Sequence, residues 1–337
     1  MIPLVMDIAG RRIGAGSCFI IAEAGVNHNG DIGAALSLID AAKDAGADAV
    51  KFQTFDADRL ATSDAPKAAY QVANVGGESQ RDMLRRLQLS EDDHRVLMAH
   101  CERQGILFLS SPFDELAADL LNGLDLAAFK LPSGETTNLP LLAHVGRMGR
   151  PVILSSGMAT MSEIAVAIET LVGAGTDRIA LLHCVSNYPA AYEDMNLRAM
   201  ETLRAAFHRP VGLSDHTMGI AVPIAAVALG GCVVEKHFTL DRNQPGPDHK
   251  ASLEPRELAD MVREIRNVEA ALGDGRKSPR PSEKPIADVA RKSLVAAADL
   301  AKGVVLSEAH VRTSRPGTGL VPAMLPHVLG RRLRVHL

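Results

Sequence analysis

Over its first 272 residues the chain alternates two patterns. Short apolar and β-branched runs are followed by longer stretches whose apolar positions recur every three or four residues. The first pattern reads as strands and the second as helices packed on them. Strands are predicted at 19–22, 49–52, 107–109, 128–131, 152–154, 179–182, 211–213 and 233–236, and helices at 32–45, 91–104, 161–172, 197–207, 220–229 and 255–272. Ser90 before Glu91 and Asp92, and Ser162 before Glu163, read as helix starts, because a hydroxyl can accept from free N–H groups and acids suit the positive helix end. Gly46, Gly105, Gly173 and Gly230 read as helix stops. The helical period is blurred near 139–146, where proline and glycine crowd the chain.

Eight strand and helix repeats predict a (β/α)8 TIM barrel, in which chemistry belongs at the C-terminal strand ends. A doubly wound sheet is the alternative, but no G-x-G-x-x-G follows any strand. Polar residues do gather at the predicted ends: Glu23, Lys51 and Gln53, Ser110 and Ser111, Lys130 and Ser133, Ser155 and Ser156, His183 and Ser186. The last two strands deliver Ser214, Asp215 and His216, then Glu235, Lys236 and His237.

The barrel is expected to span 1–272. Residues 273–282, rich in proline and charge, read as a linker, and 283–337 as a small second domain with apolar pieces at 293–296 and 304–306 and a Pro316-Gly317-Thr318-Gly319 turn. So short a segment cannot build a robust core alone, so it should lean on something larger.

Composition narrows the partners. With 36 Lys and Arg against 40 Asp and Glu, the net charge of −4 offers no basic field for nucleic acid. No run approaches the roughly 20 apolar residues of a membrane span, and no basic start leads into a long apolar run, so a cytoplasmic location is expected. Cys18, Cys101, Cys184 and Cys232 form no C-x-x-C pair and are read as reduced thiols. Cys184, beside His183, lacks an oriented base and is read as packed.

Two lysines at strand ends, Lys51 and Lys130, need partners, because an unpaired charge is not stable in a core. One solution is an anion: a phosphate and a carboxylate held with Ser111, Ser133, Ser156 and Ser214. The other is a pair of structural salt bridges to Glu23 or Glu235. His216 and His237 end neighbouring strands and could share one divalent ion, with Mn²⁺, Co²⁺ or Zn²⁺ suiting imidazole better than Mg²⁺.

Eight successive motifs, Glu23-Ala-Gly-Val-Asn-His-Asn-Gly30, Val50-Lys-Phe-Gln-Thr54, Lys130-Leu-Pro-Ser-Gly-Glu135, Leu154-Ser-Ser-Gly-Met158, His183-Cys-Val-Ser-Asn-Tyr-Pro189, Gly212-Leu-Ser-Asp-His-Thr217, Glu235-Lys-His-Phe-Thr239 and Gly246-Pro-Asp-His-Lys-Ala-Ser252, resemble those of the sialic acid synthases. The resemblance covers the whole chain. It implies condensation of phosphoenolpyruvate with open-chain N-acetylmannosamine and water, giving a sialic acid and phosphate by C–O cleavage. Glu23 and Glu235 would be catalytic, and His216 and His237 would hold a divalent metal, Mn²⁺ first and Mg²⁺ or Co²⁺ as alternatives. Lys51, Ser111, Lys130, Ser133, Ser156, Ser186 and Ser214 would bind phosphoenolpyruvate; Gln53, Tyr188 and Asp248 would face the sugar.

By the same resemblance the tail is an antifreeze-like (SAF, β-clip) domain, here expected to be shortened at its end. In a domain-swapped homodimer its Arg315 would reach the N-acyl group in the partner's site. Two other readings stand beside this one: a legionaminic or pseudaminic acid synthase taking a diacetamido-trideoxyhexose, and a non-catalytic carbohydrate-binding protein. The last gives no reason for two lysines and two histidines at the strand tips.

Overall fold

The computed structural model describes residues 5–337, which form two compact units dividing after Gly273. In the first, a hairpin of β1 (Met6–Ile8) and β2 (Arg11–Ile13) precedes eight parallel strands: β3 (Phe19–Gly25), β4 (Ala49–Thr54), β5 (Leu107–Pro112), β6 (Phe129–Leu131), β7 (Val152–Ser155), β8 (Ile179–Cys184), β9 (Val211–Asp215) and β10 (Val233–His237). β10 pairs with β3, and β5 lies beside β6, which closes the (β/α)8 barrel.

The two-residue period of a strand divides each one between two cores. Phe19, Ile21, Ala49, Leu109, Ala128, Ile153, Ala180, Leu182 and Val233 fill the barrel interior, where Met6, Ile8 and Ile13 of the hairpin join them. The alternate residues, among them Ile20, Val50 and Leu154, pack outward on the helices. Counting onward in twos along the inner face leads from these apolar residues to Glu23, Lys51, Ser111, Lys130, Ser155, Cys184 and Glu235. One face therefore supplies a dry base and a polar mouth.

The helices are α1 (Ile32–Asp44), α2 (Ala57–Leu60), α3 (Ala69–Val75), α4 (Gln80–Leu87), α5 (Glu91–Gln104), α6 (Glu115–Gly123), α7 (Leu139–Arg147), α8 (Met161–Ala174), α9 (Ala199–Phe207), α10 (Ala221–Ala228) and α11 (Pro255–Leu272). Ser90 caps α5 by accepting from Asp93 N–H, and Gly105 ends that helix in the left-handed conformation. At α8 the expectation shifts. Thr160, not Ser162, accepts from Glu163 N–H, and Gly175, with φ +133°, ends the helix while Gly173 remains inside it.

The sequence pattern did not indicate α2, α3 and α4. They lie between β4 and α5, where Leu60, Met83, Leu84 and Leu87 cluster with Val26, Phe55 and Phe113.

In the second unit, β11 (Ser293–Ala296) pairs antiparallel with β12 (Val311–Ser314). The piece at 304–306 is not a strand; only Val305 makes a bridge, to Arg332. Among the described residues Leu300 is this unit's one buried apolar side chain, whereas Ile286, Val289, Leu320, Val321, Val335 and Leu337 are exposed. No helix among the described residues is long and apolar enough to cross a membrane.

Candidate functional site

The C-terminal strand ends surround a cavity of about 480 Å³. Its floor is an ionic cluster. Lys51 Nζ lies 2.9 Å from Glu23 Oε1 and 3.7 Å from Glu235 Oε2, and donates to Ser111 Oγ at 3.0 Å. Lys130 Nζ lies 3.4 Å from Glu235 Oε1 and donates to Ser155 Oγ at 2.7 Å. Both lysines are thus paired with carboxylates. Ser214 donates to Glu235 Oε1 at 3.0 Å, and Gln53 to Glu23 Oε1 at 3.4 Å.

The two carboxyls are driven apart. Burial pushes Glu23 up to about 7 despite the neighbouring Lys51. Burial acts on Glu235 as well, but Lys130 and Lys51 outweigh it and bring that group down to about 2. Such divergence is how one site keeps a proton-exchanging carboxyl beside a fixed anion. Glu23 Oε2 and Glu235 Oε2 are buried and have no hydrogen-bond partner among the described residues.

Above the floor stand the histidines. His216 Nδ1 donates to Val185 O at 2.7 Å, which leaves the Nε2 lone pair free. Burial depresses His237 well below the usual imidazole value, keeping it neutral, and its Nδ1 is buried with no partner. The ring centroids are 5.5 Å apart. Tyr188 packs 4.0 Å from His216, and Tyr70 of α3 lies 5.2 Å from Tyr188. Asp248 also lines the cavity, its carboxyl raised to about 6 by burial.

Two neighbouring imidazoles, His237 neutral with an orphaned nitrogen and His216 with its Nε2 turned from the Val185 bond, fit a borderline divalent ion. Among the described residues no three His, Cys, Asp or Glu side chains converge as a ligand set, so substrate and water oxygens would complete the shell. Cys184 Sγ is 3.8 Å from His216 Nδ1, but that nitrogen is a donor to Val185 O and cannot serve as the thiol's base.

The cavity brings together Glu23, Lys51, Gln53, Ser111, Lys130, Ser133, Ser186, Tyr188, Ser214, His216, Glu235, His237 and Asp248. Ser133 Oγ accepts from Gly157 N–H at 2.9 Å, and a Cβ on Gly157 would collide with the Ser186 and Ser133 hydroxyls, so only glycine leaves room for both. Ser156 is a correction. It is out of phase with inward-facing Ile153 and Ser155, its hydroxyl donates to Leu182 O at 2.8 Å, and it lines a different cavity. Ser155 takes the position beside Lys130. Arg315 lies in the second unit, exposed, with no ion pair among the described residues. The pattern also missed an apolar wall of Val26, Leu60, Met83, Leu84, Leu87 and Phe113, and the ring of Tyr70. Only the short apolar repeats within 83–87 hinted at it.

Comparison with known proteins agrees along the chain. The NeuB family model matches residues 38–277, and the SAF domain model matches residues 291–337. An N,N'-diacetyllegionaminic acid synthase of Legionella pneumophila is 48% identical over 326 residues, covering 95% of this chain and 92% of that protein. The human N-acetylneuraminate-9-phosphate synthase is 37% identical over 338 residues, covering 99% and 94%. The crystal structure of the N-acetylneuraminic acid synthetase of Leptospira borgpetersenii, in complex with citrate, superposes with a TM-score of 0.75 at 34% identity, covering 84% of this chain and 94% of that one.

Proposed function

This chain belongs to the NeuB family, and on that footing we propose that it is a nonulosonic acid synthase joining phosphoenolpyruvate to a 2,4-diacylamino-2,4,6-trideoxyhexose of the legionaminic type. C3 of phosphoenolpyruvate bonds to the sugar aldehyde carbon, water adds at C2, and the C2–O bond to phosphate breaks. The observation that carries the choice of sugar is the 48% identity to the legionaminic acid synthase, against 37% to the human N-acetylneuraminate-9-phosphate synthase. The cavity supports it. A wall of Val26, Leu60, Met83, Leu84, Leu87 and Phe113 suits a C6 methyl and a second acyl group better than the hydroxyls of N-acetylmannosamine, the sugar ranked first from sequence.

Lys51 and Lys130, with Ser111, Ser133, Ser155, Ser186 and Ser214, hold phosphoenolpyruvate in this reading. Lys51 and Lys130 offset the charge of Glu235 and, when Glu23 is ionised, of both carboxylates, so an entering anion meets two buried ammonium groups and no uncompensated negative charge. Glu23, poised near neutrality with a free oxygen, takes the proton of the water that adds at C2. Glu235, held ionised by its lysines, steadies positive charge as it grows at C2. His216 and His237 hold the divalent ion, Mn²⁺ in this reading, which when bound polarises the aldehyde. Gln53, Tyr188 and Asp248 position the sugar. The second unit completes the site of a partner in a homodimer, with Arg315 as its donor to the N-acyl group.

Two tests follow. Supplied with phosphoenolpyruvate and Mn²⁺, the protein is expected to release phosphate with the diacylamino sugar at a kcat/KM roughly 10–200-fold above that with N-acetylmannosamine, the range a methyl-sized pocket difference provides. Equal or reversed preference overturns the choice of sugar. No release with any N-acylated sugar would make the protein a binder. Glu23→Gln is expected to retain phosphoenolpyruvate binding while kcat falls by roughly 10²–10⁴-fold, the usual contribution of one acid or base. An unchanged kcat assigns Glu23 to structure.

A further inference from the structure

The residue next to each histidine points the other way. Asp215 precedes His216 and Lys236 precedes His237, and strand alternation sends both to the outer face of the barrel while the histidines face the cavity. There they meet. Asp215 and Lys236 are register partners on β9 and β10, with Nζ 2.5 Å from Oδ2 and both side chains fully buried. Lys236 also donates to Thr217 O. Asp215 accepts from Thr217 N–H and from its hydroxyl, each at 3.0 Å. The network thus spans the two strand ends and the turn that leaves β9.

A fully buried ion pair is a poor source of stability, since desolvation of two charges offsets their attraction, and apolar residues of similar size often do as well. What such a pair supplies is fixed geometry. One residue from each histidine, a connection made of four converging bonds sets the spacing and tilt of the two imidazoles. We propose that Asp215 and Lys236, locked by Thr217, are positioning residues that hold His216 and His237 at metal-binding separation from the far side of the sheet. The proposal rests on the reading of those histidines as metal ligands. Outer groups that orient ligands typically change metal affinity by 10–100-fold.

The test is Mn²⁺ affinity by titration calorimetry, with thermal unfolding alongside. In the double variant Asp215→Leu/Lys236→Met the charges are exchanged together for apolar groups, so no lone buried charge remains. Its expected behaviour is a melting temperature lowered by the buried Thr217 groups left without partners, and Mn²⁺ binding weakened about 10–100-fold in the folded protein. If the double variant does not fold, Thr217→Val keeps the ion pair and deletes one hydroxyl bond, and is expected to weaken Mn²⁺ several-fold. Wild-type affinity in a folded variant overturns the positioning role and leaves the metal site standing. If the wild-type protein itself takes up no Mn²⁺, the metal reading falls and this proposal with it.

Discussion

His237→Ala is expected to abolish turnover while leaving the fold almost untouched. Its Nδ1 makes no hydrogen bond and the side chain borders the cavity, so water can fill the space left. Deletion of the ring leaves neither an orphaned partner nor a sealed void, the two usual sources of large destabilisation. The cost to folding should be about 1 kcal/mol. The cost to chemistry is much larger. In the proposed metal site a single remaining imidazole would not retain the ion against water, and loss of aldehyde polarisation would remove several kcal/mol of transition-state stabilisation, on the order of 10³-fold or more in rate.

His216→Ala should match it in rate but lose somewhat more stability, because Val185 O then loses its donor. Chelation should abolish wild-type activity, and Mn²⁺ should restore it to the wild type and not to either variant. Full wild-type activity at a metal content measured as zero would remove the histidines from metal chemistry.

The site was legible where strand parity reached it. Counting in twos from Phe19 through Ile21 gives Glu23, and from Val233 through Glu235 gives His237, so inward residues could be named once the strands were placed. The same count separates Ser155 from Ser156 and turns Asp215 and Lys236 outward. That information lay in the sequence, but polarity by itself does not separate the two faces of a strand end. Tyr70 and the apolar wall were not legible in this way. The segment from α2 to α4 consists of helices of four to eight residues, and α4, QRDMLRRL, carries its apolar residues Met83, Leu84 and Leu87 over little more than one turn, too short a run to set a helical period by itself. Its Met83 and Leu87 find partners in Val26 and Phe113, which are distant in sequence. Long-range packing, not local period, holds that segment in place. The helix end at Gly175 was hidden for a related reason: Gly173 fits a helix interior tolerably, and the choice between two nearby glycines depends on which one takes positive φ.

Subunits inactivated in different places are expected to rescue one another. The second unit buries Leu300 and leaves Ile286, Val289, Leu320, Val321, Val335 and Leu337 exposed, a surface that a larger apolar partner would cover. Its Arg315, on the loop before the Pro316-Gly317-Thr318-Gly319 turn, has no ion pair among the described residues and is free to donate to a neutral acyl oxygen. In the proposed homodimer the tail of each subunit caps the other's barrel, a closed two-fold exchange in which both interfaces are alike. His216→Ala then disables a subunit's own barrel, and Arg315→Ala disables the barrel opposite. Each variant alone forms dimers with two defective sites. When the two are mixed and allowed to exchange, the mixed dimers carry both lesions in one site and none in the other. Random exchange makes half the dimers mixed, so activity should return to about a quarter of wild type. If Arg315 served its own barrel, every site in the mixture would keep one lesion, and no activity would return despite proven exchange.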